Sequence, residues 1–151
     1  EKEDAKLFMS LCGFAWVFNM ICPLIYDLHA DIYNQHKITF GALTHLESLG
    51  LIRFDHLAGF RLQNFPKRIP AHYYGRTAIL TFPTENNNTV EIGKVILTRA
   101  GQQLAQICDS KPVDGFYDYI YDKWANLSLV QKRGPENVSS VDVPKEAEKN
   151  Q

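Results

Sequence analysis

Apolar residues at three- and four-residue spacing open the chain. Leu7, Leu11, Phe14 and Phe18 form one stripe, which predicts a helix over residues 3–18. Ala15, Trp16 and Val17 widen the stripe until the helix is apolar almost all round, and this implies deep burial. Pro23 suits the first turn of a second helix, 23–36, because it has no N–H to leave unbonded there. Leu24, Leu28, Ile32 and Gln35 would face inward. Thr39 is placed to cap a third helix, 40–49, with Phe40, Leu43, Leu46 and Leu49 as its inner stripe. Gly50 is the expected left-handed residue that ends it.

From residue 52 the period changes from helical to alternating. "LIRFD" and "GFRLQ" are expected to pair around "HLAG", with Gly59 in the turn. "FPKRIP" reads as loop. "AHYYGRTAILTFP" and "TVEIGKVILT" read as two long strands joined by the polar turn "TENNN", a hairpin shaped like a wing. Gly75 and Gly93 would mark bulges or strand ends. Thr98 can cap a helix in "RAGQQLAQICD", with Ala100, Leu104, Ile107 and Cys108 on one face. "PVDGFYDYIYDKWANL" gives a last helix with Phe116, Ile120 and Trp124 inward. The polar run after residue 128, without aromatics, reads as a disordered tail, 129–151.

The fold class read from this order is α+β. It is a winged-helix-like domain over residues 1–128, with three helices and a long β-hairpin wing, an apolar helix at the N-terminus and two C-terminal helices. "ITFGALTHLESLGLI" and "GKVILTRAGQQLAQI" resemble the winged-helix superfamily across residues 22–108. More narrowly, "EDAKLFMSLCGFAW", "IYNQHKITFGALTHLESLGLI", "GKVILTRAGQQLAQIC" and "PVDGFYDYIYDKW" resemble the C-terminal part of a bacterial domain-of-unknown-function family. That resemblance implies a helical region upstream of residue 1 and a bacterial cytoplasm. It supplies no catalytic residues. A first residue other than Met agrees with a fragment of a longer chain.

Composition adds little beyond an ordinary globular protein, with 45% hydrophobic and 22% charged residues. No apolar run reaches the roughly 18 residues of a membrane span, and "EKEDAK" is not the basic start of a signal peptide. Cys12, Cys22 and Cys108, an odd set in apolar helical contexts, suggest free buried thiols in a reducing compartment. The sequons at Asn87, Asn126 and Asn137 would matter only in a secreted chain.

Charge is uneven, and this is the functional clue. The net charge is −1, yet residues 52–99 hold seven Lys/Arg against three Asp/Glu. The outer face of the third helix offers Gly41, Thr44, His45, Glu47 and Ser48. None is a cation, and Glu47 would face a polyanion, so this helix makes a poor reader of a major groove. Nucleic acid could instead lie along the wing, on Arg53, Arg61, Lys67, Arg68, Arg76, Lys94 and Arg99, with His56, His72, Tyr73 and Tyr74 available for stacking. The same segment could equally be a solvated sheet, or could dock on acidic helices of this chain or of a partner.

No catalytic constellation is visible. His29 and His36, seven apart on the expected helix, fit surface histidines better than a metal pair. Asp114, Asp118 and Asp122 fit a solvated helix face, and no metal or cofactor is expected. Two expectations follow for function. The first is a non-enzymatic interaction module that meets a protein partner or a second copy. The alternative is nucleic-acid binding through the hairpin of residues 52–99.

Overall fold

A computed structural model describes residues 1–132. Among these residues the chain is a mixed α+β structure of five helices and antiparallel sheets. Helix α1 (Lys2–Cys12) carries Glu3 and Asp4 in its first turn, where the helix dipole favours anions. It buries Phe8, Leu11 and Cys12 and leaves Ala5 and Met9 exposed. The helix expected to reach residue 18 therefore stops at Cys12. Gly13 follows, so close to another segment that a Cβ there would lie 2.8 Å from the Lys111 carbonyl oxygen. Ala15–Val17 then become strand β1, which pairs with β2 (Ile21–Pro23) in the register Ala15↔Pro23, Trp16↔Cys22, Val17↔Ile21. The apolar, aromatic run that looked like an all-round helix face is a buried strand, where such residues pack equally well.

The expected second helix shortens for local reasons. Pro23 ends β2 instead of starting a helix. The Asp27 carboxylate accepts the His29 N–H at 2.9 Å, an Asx turn that competes with helix formation. Only α2 (Asp31–Asn34) is helical. The irregular stretch before it is satisfied by Tyr33, whose buried hydroxyl donates to the Leu24 carbonyl at 2.6 Å and accepts the Tyr26 N–H at 3.2 Å. His29 and His36 do not share a helix face.

Helix α3 (Phe40–Ser48) matches its expectation. The Thr39 hydroxyl accepts the Ala42 N–H at 3.1 Å, and Gly50 has φ +80°. Its inner stripe is narrower, because Leu43 and Leu46 are buried while Phe40 and Leu49 are exposed.

The strands pair differently from the expected wing. β3 (Ile52–Phe54) pairs with β8 (Val95–Leu97), and β4 (Phe60–Phe65) pairs with β7 (Asn88–Gly93). "LIRFD" and "GFRLQ" are thus consecutive pieces of one arm of a ribbon, not partners of each other. "AHYYGRTAILT" folds in half. β5 (Arg68–Tyr73) and β6 (Arg76–Thr81) form a hairpin around Tyr74 and Gly75, both at positive φ as a two-residue turn requires. This hairpin does not project. It extends the first sheet to the order β2-β1-β5-β6, through the pairing of Val17 with His72.

The helices after the ribbon close the core. The Thr98 hydroxyl accepts the Gly101 N–H at 3.1 Å and caps α4 (Arg99–Ile107), while also donating to the Gly50 carbonyl at 2.6 Å. Ile107 is exposed, so the inner face expected for α4 is narrower than predicted. Helix α5 (Phe116–Asn126) buries Phe116, Ile120 and Trp124 as expected, together with Tyr117 and Tyr121. Trp16 lies fully buried against this helix, stacked on Tyr73 and Tyr117 and edge-on to Trp124 at 4.8 Å. Leu129 and Val130 are part of this body. The Leu129 carbonyl accepts the Thr81 N–H at 2.8 Å, and Val130 is buried. The rest of the expected tail, residues 133–151, lies outside the described residues. No helix among those described is long and apolar enough to cross a membrane.

Two glycines give opposite expectations for stability. Gly93 has φ +91° and a Cβ there would fall on the Ile25 carbonyl, which accepts the Lys94 N–H at 2.8 Å. Gly93→Ala should cost at least about 1–3 kcal/mol, the range for overpacking and backbone strain together. Gly41, in the first turn of α3, has open space around it. Gly41→Ala should stabilise by about 0.4–1 kcal/mol. Urea unfolding of both variants checks the contrast.

Candidate functional site

The basic segment is dispersed by the fold. Arg61 on β4 stands opposite Glu91 on β7, with its guanidinium 3.2 Å from the carboxylate. Lys67 reaches Glu85 at 3.6 Å. Arg76, at the start of β6, meets Asp118 of α5 at 4.0 Å and lies 3.7 Å from the centre of the Tyr117 ring. Lys94 donates to the His56 carbonyl at 2.9 Å. Four of the seven cations are therefore engaged within the chain. Arg53 sits 5.4 Å from the Phe60 ring centre. Arg53, Arg68 and Arg99 are exposed and form no ion pair among the described residues. The aromatic side chains expected to interleave with these cations are spent elsewhere. Tyr73 is buried under Trp16, Tyr74 hydrogen-bonds the Cys12 carbonyl at 3.0 Å, and His72 bonds Thr77 at 2.9 Å.

The polar face of α3 is also turned to its own chain. Thr44 donates to the Phe40 carbonyl, Ser48 donates to the His45 carbonyl, and His45 lies 2.7 Å from the Asp4 carboxylate. Glu47 accepts the Phe54 N–H at 3.0 Å. This last bond explains an acidic residue on that face. It fixes the start of the ribbon to the helix.

What the α3 end of the molecule does offer is apolar. Phe40 is 51% exposed, and its ring packs edge-on against Phe54 at 5.1 Å and His56 at 5.0 Å. Leu57, in the adjoining turn, is 83% exposed. The turn is held by Asp55, whose carboxylate accepts the N–H groups of Ala58 at 3.0 Å and Leu57 at 3.1 Å. An apolar side chain at the tip of an otherwise polar turn, "FDHLAG", was the sequence signal for this patch. The helical stripe obscured it by assigning Phe40 to the core.

A concavity of about 510 Å³ lies between β7 and the end of α5, lined in part by Tyr26, Val90, Trp124, Leu127 and Leu129. Its Tyr26 hydroxyl is bonded internally, donating to the Glu91 carbonyl at 2.6 Å. No cluster of His, Cys, Asp or Glu among the described residues could hold a metal ion. Asp118 of the acidic stripe serves Arg76. Of the sequons, Asn87 and Asn126 are exposed and Asn137 lies outside the described residues. The chain matches no known protein family, no curated protein and no solved structure.

The Asp55 turn carries a pH signature. Hydrogen bonds from Ala58 and then Leu57 hold its carboxyl below the ordinary value of 3.8. A depressed carboxyl contributes above the unfolded value and loses that contribution as pH falls through the folded one. The amides of Leu57 and Ala58 should therefore stay protected down to pH 3.8 and begin to exchange faster only below it. An NMR titration tracking Asp55 with those two amides checks this.

Proposed function

We propose that this chain is a non-enzymatic interaction module, a winged-helix-like domain that binds protein through the apolar patch at the start of α3 and the root of the ribbon. In this reading α2, α3, the β3–β8 and β4–β7 ribbon and α4 correspond to the helix-turn-helix, wing and closing helix of that superfamily. The proposal sets the module in a bacterial cytoplasm, in keeping with three free cysteines. The observation that carries the reading is the patch of exposed Phe40, His56 and Leu57 around the partly buried Phe54. It sits where a nucleic-acid reader would need cations and hydrogen-bonding groups. An aromatic centre agrees with the usual make-up of protein interfaces. A second copy is the simplest partner, because a net charge of −1 leaves little mutual repulsion.

One observation favours the second reading, nucleic-acid binding through the ribbon: Arg53, Arg68 and Arg99 have no acidic partner among the described residues. A single pair of measurements separates the two. Sedimentation of the chain should show concentration-dependent self-association that Phe40→Ser and Leu57→Ser each weaken about tenfold or more, a loss of roughly 1.4 kcal/mol. Titration with single- and double-stranded DNA at two salt concentrations should show little binding. A monomer that binds DNA steeply with salt, and loses that binding when Arg53, Arg68 and Arg99 become Ala, would replace the first reading by the second.

A further inference from the structure

The structure assigns an oxidation site to the pair Cys12 and Cys108, where peroxide converts two thiols into a disulfide that ties α1 to α4. Cys12 is the last residue of α1, and Cys108 is the C-cap of α4. They are 96 positions apart, yet the fold brings their segments together, close enough for the Cys108 thiol to act electrostatically on the Cys12 thiol. The backbones around them are pressed together independently of the sulfurs. The Gly13 position leaves room for no Cβ beside the Lys111 carbonyl. Two tyrosines at the turn of one hairpin rivet the same two segments. The Tyr73 hydroxyl donates to the Gly13 carbonyl at 2.7 Å and accepts the Val113 N–H at 2.7 Å. The Tyr74 hydroxyl contacts the Cys12 carbonyl at 3.0 Å and bonds the Ser110 hydroxyl.

The two thiols differ in access, which assigns their roles. Cys108 is half-buried and Cys12 is buried. Peroxide reaches Cys108 first. The Cys108 sulfur attacks one peroxide oxygen, the O–O bond breaks, and Cys108 sulfenic acid and one water form. The Cys12 sulfur then attacks the sulfenic sulfur. The S–S bond forms as the S–O bond breaks, and the hydroxyl leaves as a second water with the Cys12 proton. The two electrons lost by the sulfurs reduce the peroxide. Cys22 is fully buried on β2, where its thiol bonds the Met20 carbonyl at 3.7 Å, so it stays outside this chemistry. In a reducing compartment the bond would be transient and reversed by thiols, as a sensing disulfide is.

The test treats the reduced full chain with hydrogen peroxide under native conditions, then alkylates it in denaturant and maps the peptides. The expected result is a fall from three free thiols to one, a Cys12–Cys108 cross-linked peptide within one chain, and reversal by dithiothreitol. In Cys12→Ser, dimedone should trap Cys108 sulfenic acid at several times the wild-type level. The mapping on wild-type protein decides the matter even where the variant folds poorly. Three unchanged thiols, a link between two chains through Cys108, or equal dimedone trapping in wild type and a folded Cys12→Ser would each overturn the assignment.

Discussion

Trp16 is the point on which the architecture turns. It is fully buried on a strand of three residues and joins two separately folded pieces through three rings: Tyr73 of the β5–β6 hairpin, and Tyr117 and Trp124 of α5. Stacked and edge-on aromatic pairs add to the large area each ring buries. The cost is visible, since the Trp16 indole N–H has no hydrogen-bond partner among the described residues. An orphaned buried donor costs about 1–3 kcal/mol, which the ring packing must exceed. The consequence reaches beyond the core. The far end of the long ribbon is not a free wing tip, because its insertion is drawn under Trp16 and becomes sheet.

That constraint also says what was legible in the sequence. The elements whose signals are local, capping residues and helical spacing, came through: α3 with Thr39 and Gly50, α4 with Thr98, and α5 with its inward Phe116, Ile120 and Trp124. What failed was decided at long range. "GFAWVF" has no local feature that separates a buried strand from an apolar helix, and β1 exists because residues 21–23 and 72 are there to pair with it. The ribbon was misread for the same reason. Positive φ at Tyr74 and Gly75 turned one expected strand into a hairpin, and the crossing of Gly93 over Ile25 broke another into β7 and β8. The glycines were visible; their partners were not. The site was less legible than the fold. Counting cations found the basic segment, but only coordinates show that Glu91, Glu85 and Asp118 answer three of its members.

The distribution of charge then reads as internal organisation. Three of the seven cations in residues 52–99 face acidic residues, two within that segment and one on α5. Exposed pairs of this kind contribute little individually. Their effect is to lower the field that a polyanion would feel. Arg76 illustrates the point, since it lies over the Tyr117 ring as well as beside Asp118, a geometry that suits a planar guanidinium.

The closure of strand edges bears on how any partner could bind. An open edge invites another chain to add a strand through backbone hydrogen bonds. At β2, both backbone groups of Ile21 are taken by the Gln102 side chain, which donates to its carbonyl at 2.7 Å and accepts from its N–H at 3.2 Å. The amide of α4 stands in for a neighbouring strand. At β6, Leu129 accepts from Thr81, and the Tyr117 hydroxyl donates to the Thr77 carbonyl at 3.3 Å. With these backbone groups already satisfied, strand addition at those edges would have to displace bonds internal to the fold. Recognition through side chains carries no such cost, and Phe40 and Leu57 are among the apolar side chains left exposed. The proposed contact surface therefore follows from the way the sheet is sealed as much as from the patch itself.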